Sequence, residues 1–397
     1  MSTSTVVAAR DRWRMGVEAR GLVIVTAALM AFGLAILYSA SAFVAMQAGR
    51  GSTHFLMRQL SGMAVGMVLF AIVAKVDAER WRSVAWWIMG GALAAMLCTV
   101  LPFTKAIAPE IHGSRRFLFG GSIQPSEFAK LAVIIWTAML VVKKGEQMRR
   151  LTKGMLPFLV GVGSLALCAA LEPDLSVAIY FMLLMGVVLY AGGARVGHFV
   201  FLGFLSIPVL WSEIQRLQYV LERLRGFTDA SAVHQKVNLQ LQESLIAVGS
   251  GGAFGVGFGQ GRQQFGFLPL PYNDFVASNV GEEWGFVGLF VLVGLFALWG
   301  FLGFRIAQQA RTPFQRLVAI GLTFALVSTA FLHIGVVIGL LPTTGLTLPF
   351  ISYGRSNLLL SFLMTGMLVN IGSQRERVHG AFATDPLAAP AFAAQGA

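Results

Sequence analysis

Long apolar segments recur along the chain, and each is bounded by short polar stretches or by stretches that contain glycine and proline. Their lengths approach the ~20 residues that an α-helix needs to cross ~30 Å of hydrocarbon. The pattern predicts an all-α polytopic membrane protein with about ten transmembrane helices and a long extracytoplasmic loop between helices 7 and 8. The predicted spans are about 21–45, 57–75, 83–103, 127–142, 155–171, 175–193, 196–212, 284–304, 314–340 and 357–372.

The segments between the spans define the domain organisation. Residues 1–20 are a cytoplasmic segment, 21–374 a single transmembrane domain, and 375–397 a cytoplasmic tail expected to be disordered. Within the long loop, 213–283, the stretches EIQRLQYVLERLRGF and HQKVNLQLQESLIAVGS have the periodicity of amphipathic interfacial helices. The run GSGGAFGVGFGQG favours a bend beside packed helices over a phosphate-binding loop, because no βαβ pattern surrounds it.

Composition agrees with a membrane protein, since 56% of the 397 residues are hydrophobic and 12% are charged. The first apolar run is long and is followed by no convincing cleavage site, so we interpret it as a retained helix. Cys98 and Cys168 both lie inside apolar runs. They are expected to be small buried residues rather than partners in a disulfide or ligands of a metal.

Charge sets the orientation. An even number of spans places both termini on one side, and the inner segments then hold 18 Lys and Arg residues against 11 in the outer segments. By the positive-inside rule both termini are cytoplasmic. Most acidic residues fall on the outer side, so the net charge of +12 is explained by topology and by anionic lipid. Nucleic-acid binding is not needed to explain it.

Ionisable groups near the outer ends of the spans are the candidates for chemistry, because such groups are costly in lipid. In GSRRFLFGGSIQPSEFAKLAV, Pro125 is expected to open a helix that carries Glu127 and Lys130 on one face. These two side chains could form a structural ion pair or take part in binding. In LEPDLS, Glu172 and Asp174 fit a turn followed by a helix cap.

The segment GLLPTTGLTLPFISYGRSN between spans nine and ten cannot form a regular helix. Irregular backbone at this depth is tolerated only where protein or a water-filled cavity covers it. We therefore predict a polar cavity that opens to the outer face, and its mixture of cations and carboxylates suits a substrate with a pyrophosphate and sugar hydroxyls. The expected lining is Arg115, Arg116, Glu127, Lys130, Asp174, Asp274, Glu282, Glu283 and Arg355.

Several motifs occur in an order that is typical of one family. They are LYSAS, GSRRFLFGGSIQPSEFAKLAV, EPDLS, LQESLIAVGSGGAFGVGFGQGRQQFGFLP, NDFVASNVGEEWGFVG and LLPTTGLTLPFISYG. Over nearly its whole length the chain resembles the SEDS (shape, elongation, division and sporulation) family of peptidoglycan glycosyltransferases. The glycine run, RQQFGFLP and LPTTGLTLP are more similar to the division branch of the family than to the elongation branch.

This resemblance implies that the protein polymerises lipid II at the outer face of the inner membrane, with undecaprenyl pyrophosphate as the leaving group. It assigns the general base to Asp274, in the loop before span eight, and Glu282 and Glu283 are expected at the N-terminus of that span. Arg116, Lys130 and Arg262 are expected to stabilise the departing pyrophosphate. The full candidate substrate-binding set is Arg116, Glu127, Lys130, Asp174, Arg262, Glu282, Glu283, Ser352 and Arg355.

The resemblance also implies partners: a class B penicillin-binding protein, which the apolar faces of spans eight and nine could contact, other divisome proteins, and membrane lipids. The sequence identifies no cofactor and no metal site, and it leaves open whether a divalent cation, Mg²⁺ or Mn²⁺, takes part. The chain departs from the family pattern at Phe117, Tyr272, Asn273 and Arg355. A lipid II carrier, an elongation-type polymerase and a scaffold that only recruits the transpeptidase are the alternative interpretations.

Overall fold

A computed structural model describes residues 10–104, 107–110, 115–121, 123–149, 154–216, 221 and 236–378. In these ranges the chain forms eleven principal helices and one two-stranded ribbon. The helices are α1 (Val17–Gln47), α2 (His54–Lys75), α3 (Ala78–Val100), α4 (Pro125–Lys144), α5 (Leu156–Leu171), α6 (Leu175–Ala191), α7 (Val196–Arg216), α8 (Lys236–Ser250), α9 (Val276–Gln308), α10 (Pro313–Val337) and α11 (Arg355–Ile371). The ribbon consists of β1 (Arg10–Met15) and β2 (Ser373–Val378).

A helix occupies each of the ten predicted positions, and α8 lies in the long loop. Within the described ranges, seven helices are long and apolar enough to cross a membrane: α1, α2, α3, α4, α7, α9 and α10. Helices α5, α6 and α11 have 16 or 17 residues. The class of polytopic helical membrane protein is therefore confirmed, and the count of ten spans stays a prediction.

Local sequence signals explain where several helices begin. Pro125 is the first residue of α4, where its missing N–H costs no hydrogen bond. Asp174 is the N-cap of α6, and its carboxylate accepts a hydrogen bond from the Val177 N–H at 3.4 Å. The cap and the turn before it were predicted from the same residues, and the structure confirms both.

Helix α4 lies at the centre of the bundle, where it packs against α3, α6 and α10. In its most apolar window 89% of the residues are buried, against 22% in α2 and in α3. The outer helices instead expose large apolar side chains, such as Trp87, which is 81% exposed. Such a surface is the one that lipid covers in a membrane protein.

The ribbon joins the two ends of the described chain. The strands pair antiparallel, with Arg10 opposite Val378 and Met15 opposite Ser373. The N–H of Gly16 donates to the carbonyl of Gly372 at 3.1 Å, which holds the start of α1 beside the end of α11 and lets the flanking segments pair. Residues 375–378, at the start of the predicted tail, lie in β2, and residues 379–397 lie outside the described ranges.

The long loop differs in its bounds from the prediction. Helix α7 continues to Arg216, beyond the predicted end at 212, and the second amphipathic stretch forms α8. Most of the first amphipathic stretch, EIQRLQYVLERLRGF, lies outside the described residues. On α8, the buried Ser244 hydroxyl donates to the carbonyl of Val337 at 2.9 Å and fixes this helix against the end of α10.

Helix α9 begins at Val276, well before the predicted start at 284, and it is kinked at Gly285. Gly285 has φ 65° and ψ −159°, a conformation open essentially to glycine alone. The kink frees backbone groups, and the glycine-rich segment after α8 pairs with them. The Val256 and Gly257 N–H groups donate to the carbonyls of Glu282 and Glu283, at 2.9 and 3.1 Å.

Two further bonds run in the opposite direction across the same contact. The N–H groups of Phe286 and Val287 donate to the carbonyls of Gly252 and Ala253, at 2.9 and 3.1 Å. A Cβ atom at Gly255 would lie 2.1 Å from the Glu283 carbonyl oxygen, so only glycine permits this approach. The glycine run is thus a bend packed beside a helix, as the sequence favoured.

We expect Gly285→Ala to destabilise the protein strongly. The positive φ alone costs about 1–3 kcal/mol for a residue with a side chain, and the new Cβ would lie 2.3 Å from the Gly255 nitrogen. The control is Gly294→Ala on the same helix, where an added Cβ meets no atom within 4 Å. Thermal unfolding in detergent should show a lower midpoint for the first variant alone; equal midpoints would contradict this account of the kink.

Candidate active site

Asp274 lies in the short loop before α9, at the wall of a small cavity that opens to solvent. The cavity forms where α8, the start of α9, the end of α10 and the irregular segment before α11 meet. Its lining consists of Gln240, Asp274, Phe275, His333, Val336, Thr343, Thr344, Gly345 and Leu346. The irregular segment after α10 thus borders a polar cavity. Of the nine ionisable residues predicted to line one shared cavity, only Asp274 is in this lining.

The loop that carries Asp274 is fastened to the segment before α11. The Ser352 hydroxyl donates to the carbonyl of Asn273 at 2.7 Å and accepts from the Leu348 N–H at 2.9 Å. The Tyr353 N–H donates to the carbonyl of Tyr272 at 2.9 Å. Because these bonds hold the two residues immediately before Asp274, Ser352 positions the loop through its backbone.

An aromatic cluster packs beside the same loop. The rings of Phe55 and Tyr272 lie 4.6 Å apart between centroids, and Phe55 and Tyr353 lie 5.1 Å apart. Tyr272 is one of the departures from the family pattern, and here its ring is buried against α2. This departure therefore adds packing beside Asp274 and leaves the aspartate at the cavity wall.

His333 was not among the predicted site residues. It lies on α10, is 1% exposed and lines the cavity together with Asp274. Its Nδ1 lies 2.8 Å from the Leu346 carbonyl oxygen. The signal that could have identified it was present in the sequence, because an ionisable residue inside an apolar run is a candidate for function by default.

Glu127 and Lys130 form a buried ion pair on the first turns of α4. The Lys130 Nζ lies 2.7 Å from Glu127 Oε1, and the two residues are 3% and 6% exposed. The Lys130 ammonium also lies 5.5 Å from the centre of the Tyr180 ring. Glu127 Oε2 is buried without a hydrogen-bond partner in the described part of the chain. The predicted pairing of Glu127 and Lys130 on one helix face is confirmed. Glu127 Oε2 could still accept a hydrogen bond.

Arg116 holds the turn between α5 and α6. Its guanidinium donates to the carbonyls of Glu172 and Pro173, at 3.2 and 2.5 Å, and its Nη1 lies 3.2 Å from Asp174 Oδ2. The structure thus brings Arg116 and Asp174 together as expected. These three contacts all go to the turn, so Arg116 supports it. The Arg116 side chain is 29% exposed.

The carboxyl group of Glu172 lies in that turn, outside the helices that flank it, and accepts a hydrogen bond from the Thr99 hydroxyl. Burial raises the pKa of Glu172 to about 8, Thr99 and Arg116 oppose this shift, and the neighbouring Asp174 adds to it. The folded protein therefore keeps this group protonated at neutral pH, and unfolding near pH 7 releases its proton.

We expect stability to fall between about pH 4.5 and pH 8 because of Glu172. In this range the folded state binds more protons than the unfolded state, so the stabilisation is complete below the unfolded pKa and is lost as pH rises through about 8. The thermal unfolding midpoint of Glu172→Gln should fall less between pH 5 and pH 8 than that of the parent protein. The control is Glu243→Gln, which replaces a half-buried carboxylate on α8. Parallel profiles for the parent and Glu172→Gln would rule this out.

Glu282 and Glu283 occupy a different position from the predicted one. They lie just before the kink at Gly285, at the end of the first segment of α9, and not at the N-terminus of the helix. The prediction that a helix N-terminus holds their charge is therefore wrong. The prediction placed the start of the helix where uninterrupted hydropathy begins, and the segment of α9 before the kink is less apolar.

Both carboxylates are buried; that of Glu282 contacts the loop at Arg262, and that of Glu283 contacts α1. Glu282 Oε1 accepts from the backbone N–H of Arg262 at 2.7 Å, and the Gln263 N–H lies 3.3 Å from both of its oxygens. Glu283 Oε1 accepts from the Ser39 hydroxyl. The Arg262 side chain is exposed. These contacts support the loop. The backbone of Arg262, and not its side chain, makes the contact with Glu282.

Arg355 is the first residue of α11 and is half-buried. It follows Ser352 and Tyr353 closely in the chain, so it lies near the loop that carries Asp274. The next residue, Ser356, accepts a hydrogen bond from the Gln124 N–H at 2.9 Å, which links the starts of α11 and α4. Three contact groups thus result: Asp274 with Ser352 and its neighbours, Arg116 with Asp174, and Glu282 and Glu283 with the glycine-rich loop.

The described residues include no group of three or more His, Cys, Asp and Glu side chains arranged to hold a metal ion. The chemistry that this cavity offers is one carboxylate among polar and apolar side chains. Asp274 can accept a proton from a hydroxyl group that enters the cavity, provided that the hydroxyl comes within hydrogen-bond distance.

Fold and site together define an integral membrane protein of many helices, with a polar cavity where α8, the start of α9, the end of α10 and the segment before α11 meet. The chain belongs to the FtsW, RodA and SpoVE family of cell cycle proteins, which it matches over residues 20–377. It is 33% identical to a probable peptidoglycan glycosyltransferase FtsW of Trichlorobacter lovleyi over 354 residues, which cover 89% of this chain and 92% of the relative. It is 34% identical to stage V sporulation protein E of Bacillus subtilis over 352 residues, which cover 88% and 95% of the two chains.

The fold is also similar to that of a solved structure. One chain of a peptidoglycan synthase complex, described as coordinating polymerization and crosslinking, superposes with a TM-score of 0.72 and 26% sequence identity. The match covers 89% of this chain and 97% of that one. The resemblance noted from the sequence is thereby confirmed, and with it membership of the family.

Proposed function

We propose that the protein is a peptidoglycan glycosyltransferase that polymerises lipid II at the outer face of the cytoplasmic membrane during cell division. The observation that carries the proposal is Asp274 at the wall of a polar cavity, in a chain 33% identical to a relative named a probable peptidoglycan glycosyltransferase FtsW. That relative's name favours the division role over elongation.

In the proposed reaction, the 4-hydroxyl of one lipid-linked disaccharide gives its proton to a carboxylate oxygen of Asp274. The hydroxyl oxygen forms a bond to the anomeric carbon of a second disaccharide, and the bond from that carbon to the pyrophosphate oxygen breaks. The electron pair leaves with undecaprenyl pyrophosphate. A single displacement inverts the anomeric centre, so an α-linked donor gives a β-linked product without a covalent intermediate on the enzyme.

The four basic residues of the predicted substrate-binding set fall into two groups according to their contacts with the protein. Lys130 is buried against Glu127, and Arg116 is engaged with the turn at Asp174, so we propose that both act mainly by holding the surrounding helices. Arg262 is exposed and Arg355 is half-buried at the start of a helix. These two arginines are the better candidates to meet the pyrophosphate, because their guanidinium groups can bind its oxygens in a bidentate manner.

The partner is proposed to be a class B penicillin-binding protein, together with other divisome proteins. Support comes from the similarity to a chain of a peptidoglycan synthase complex. Helix α9 exposes large apolar side chains along its length, including Phe286, Phe290 and Phe301, and such a face suits a transmembrane helix of a partner or lipid. Both termini are proposed to be cytoplasmic, in keeping with the pairing of β1 and β2.

The test is to add the purified protein, alone and with its penicillin-binding partner, to labelled lipid II in detergent. We expect glycan ladders, and chelator in parallel reactions shows whether Mg²⁺ or Mn²⁺ is needed. The absence of ladders in every condition, together with translocation of lipid II in liposomes, would overturn the proposal in favour of a carrier. Retained ladders in a variant without the Asp274 carboxylate would remove the assignment of the base.

A further inference from the structure

The cavity at Asp274 has a second ionisable wall residue that the proposed reaction does not yet use. His333 projects from α10 into the cavity lining, on which Asp274, Thr343 and Leu346 also lie. The histidine is 1% exposed, so its ring is almost fully enclosed, and it is one of the residues that line the cavity. A buried imidazole at the wall of a polar site is costly unless both of its nitrogen atoms find partners.

The hydrogen bond at one nitrogen determines what the other can do. Nδ1 lies 2.8 Å from the Leu346 carbonyl oxygen, and because a carbonyl only accepts, Nδ1 carries the hydrogen and donates. In the neutral ring Nε2 is then an acceptor. This nitrogen is buried and has no hydrogen-bond partner among the described residues. His333 therefore has one buried acceptor without a partner in the described part of the chain, and the residue lines the same cavity as Asp274.

The rest of the lining indicates which ligand this acceptor would meet. Gln240 and Thr344 contribute an amide and a hydroxyl to the same cavity, beside the apolar Phe275 and Val336. A few polar groups set among apolar ones, with a single carboxylate, suit a neutral ligand rich in hydroxyl and amide groups. A sugar that carries an acetamido group has this chemistry, whereas a pyrophosphate would meet no cation in this lining.

We propose that His333 Nε2 accepts a hydrogen bond from a hydroxyl or acetamido N–H of the sugar that Asp274 deprotonates. The inference rests on the proposed function and adds a residue to the acceptor side of the site. His333 orients the sugar between α10 and the loop before α9, so that its reacting hydroxyl faces the Asp274 carboxylate. Donor sugar and pyrophosphate would then approach from outside this cavity.

Two substitutions test the proposal. His333→Phe keeps a planar ring and removes both nitrogen atoms, so we expect KM for lipid II to rise about tenfold, the change that losing one well-placed hydrogen bond produces. His333→Asn keeps an amide donor for the Leu346 carbonyl and an oxygen that can accept, so we expect it to recover part of that loss. The dissociation constant of labelled lipid II gives the same comparison without turnover.

The matched control is Ser244→Ala. It removes another buried hydrogen bond to a backbone carbonyl at the end of α10, that of Val337, without touching the cavity lining. We expect it to lower the thermal midpoint as His333→Phe does while leaving KM unchanged.

Unchanged KM and affinity in His333→Phe, or an equal rise in Ser244→Ala, would overturn the assignment of His333. If the parent protein binds lipid II but makes no ladders, the proposed polymerase activity fails, and the affinity series still decides whether His333 contacts the sugar.

Discussion

Asp274→Asn is expected to reduce glycan polymerisation by about 10²–10⁴-fold, the contribution typical of a positioned general base. The hydroxyl nucleophile is weak at neutral pH, and the amide that replaces the carboxylate cannot take its proton. Asparagine has nearly the same shape, and the loop is held through Tyr272 and Asn273 by the segment before α11, so its position should be kept. Ladder formation from labelled lipid II measures the loss.

Asp77→Asn is the matched control for this variant. Asp77 caps α3, where its carboxylate accepts a hydrogen bond from the Glu79 N–H at 3.0 Å, and asparagine caps helices equally well. The control makes the same chemical change away from the cavity, so it should polymerise at the parent rate. Equal ladders from Asp274→Asn and the control would mean that another group removes the proton.

Lys130→Met is expected to destabilise the protein by about 3–5 kcal/mol, because it leaves the carboxylate of Glu127 buried without its counter-charge. The lysine and the glutamate are both almost fully enclosed, at the first turns of the most buried helix in the bundle. The double variant Glu127→Gln, Lys130→Met removes both charges together and should recover most of the loss. Denaturant or thermal unfolding in detergent measures the three proteins.

The same double variant separates the two roles left open for this pair. If the pair only offsets its own burial, the double variant regains stability and activity together. If Glu127 Oε2, which has no partner in the described part of the chain, also meets substrate, stability returns and polymerisation stays low. If Lys130→Met is as stable as the parent protein, the argument that Glu127 needs its counter-charge is wrong.

Much of the fold could be predicted because the membrane imposes a simple rule. Every spanning segment must satisfy its own backbone, so long apolar runs identify helices, and Pro125 and Asp174 mark their starts through local chemistry. The pairing of Glu127 with Lys130 followed from their spacing on one helix face. These features depend on neighbours in the chain, and the sequence displays such neighbours directly.

The features that the sequence did not predict depend on contacts between distant segments. The helical sequence pattern continues through Gly285. It therefore gives no sign that residues 252–257 make the backbone hydrogen bonds that the helix lacks at the kink. For the same reason the pattern predicts a helix N-terminus at Glu282 and Glu283, whereas in the structure the loop at Arg262 holds Glu282. His333 lies inside an apolar run, far in the chain from Asp274, and only the packing of α10 beside the loop before α9 brings the two into one cavity lining.

The glycine-rich segment also bears on how this protein can be engineered. In the linear sequence, residues 251–257 resemble a loop that would accept an epitope tag or a change in length. Yet their backbone supplies four hydrogen bonds to a broken transmembrane helix, and each lost bond would leave a polar group facing protein or lipid without a partner. Labels and crosslinkers therefore belong on the paired strands β1 and β2, where one probe on each strand would report on the same site.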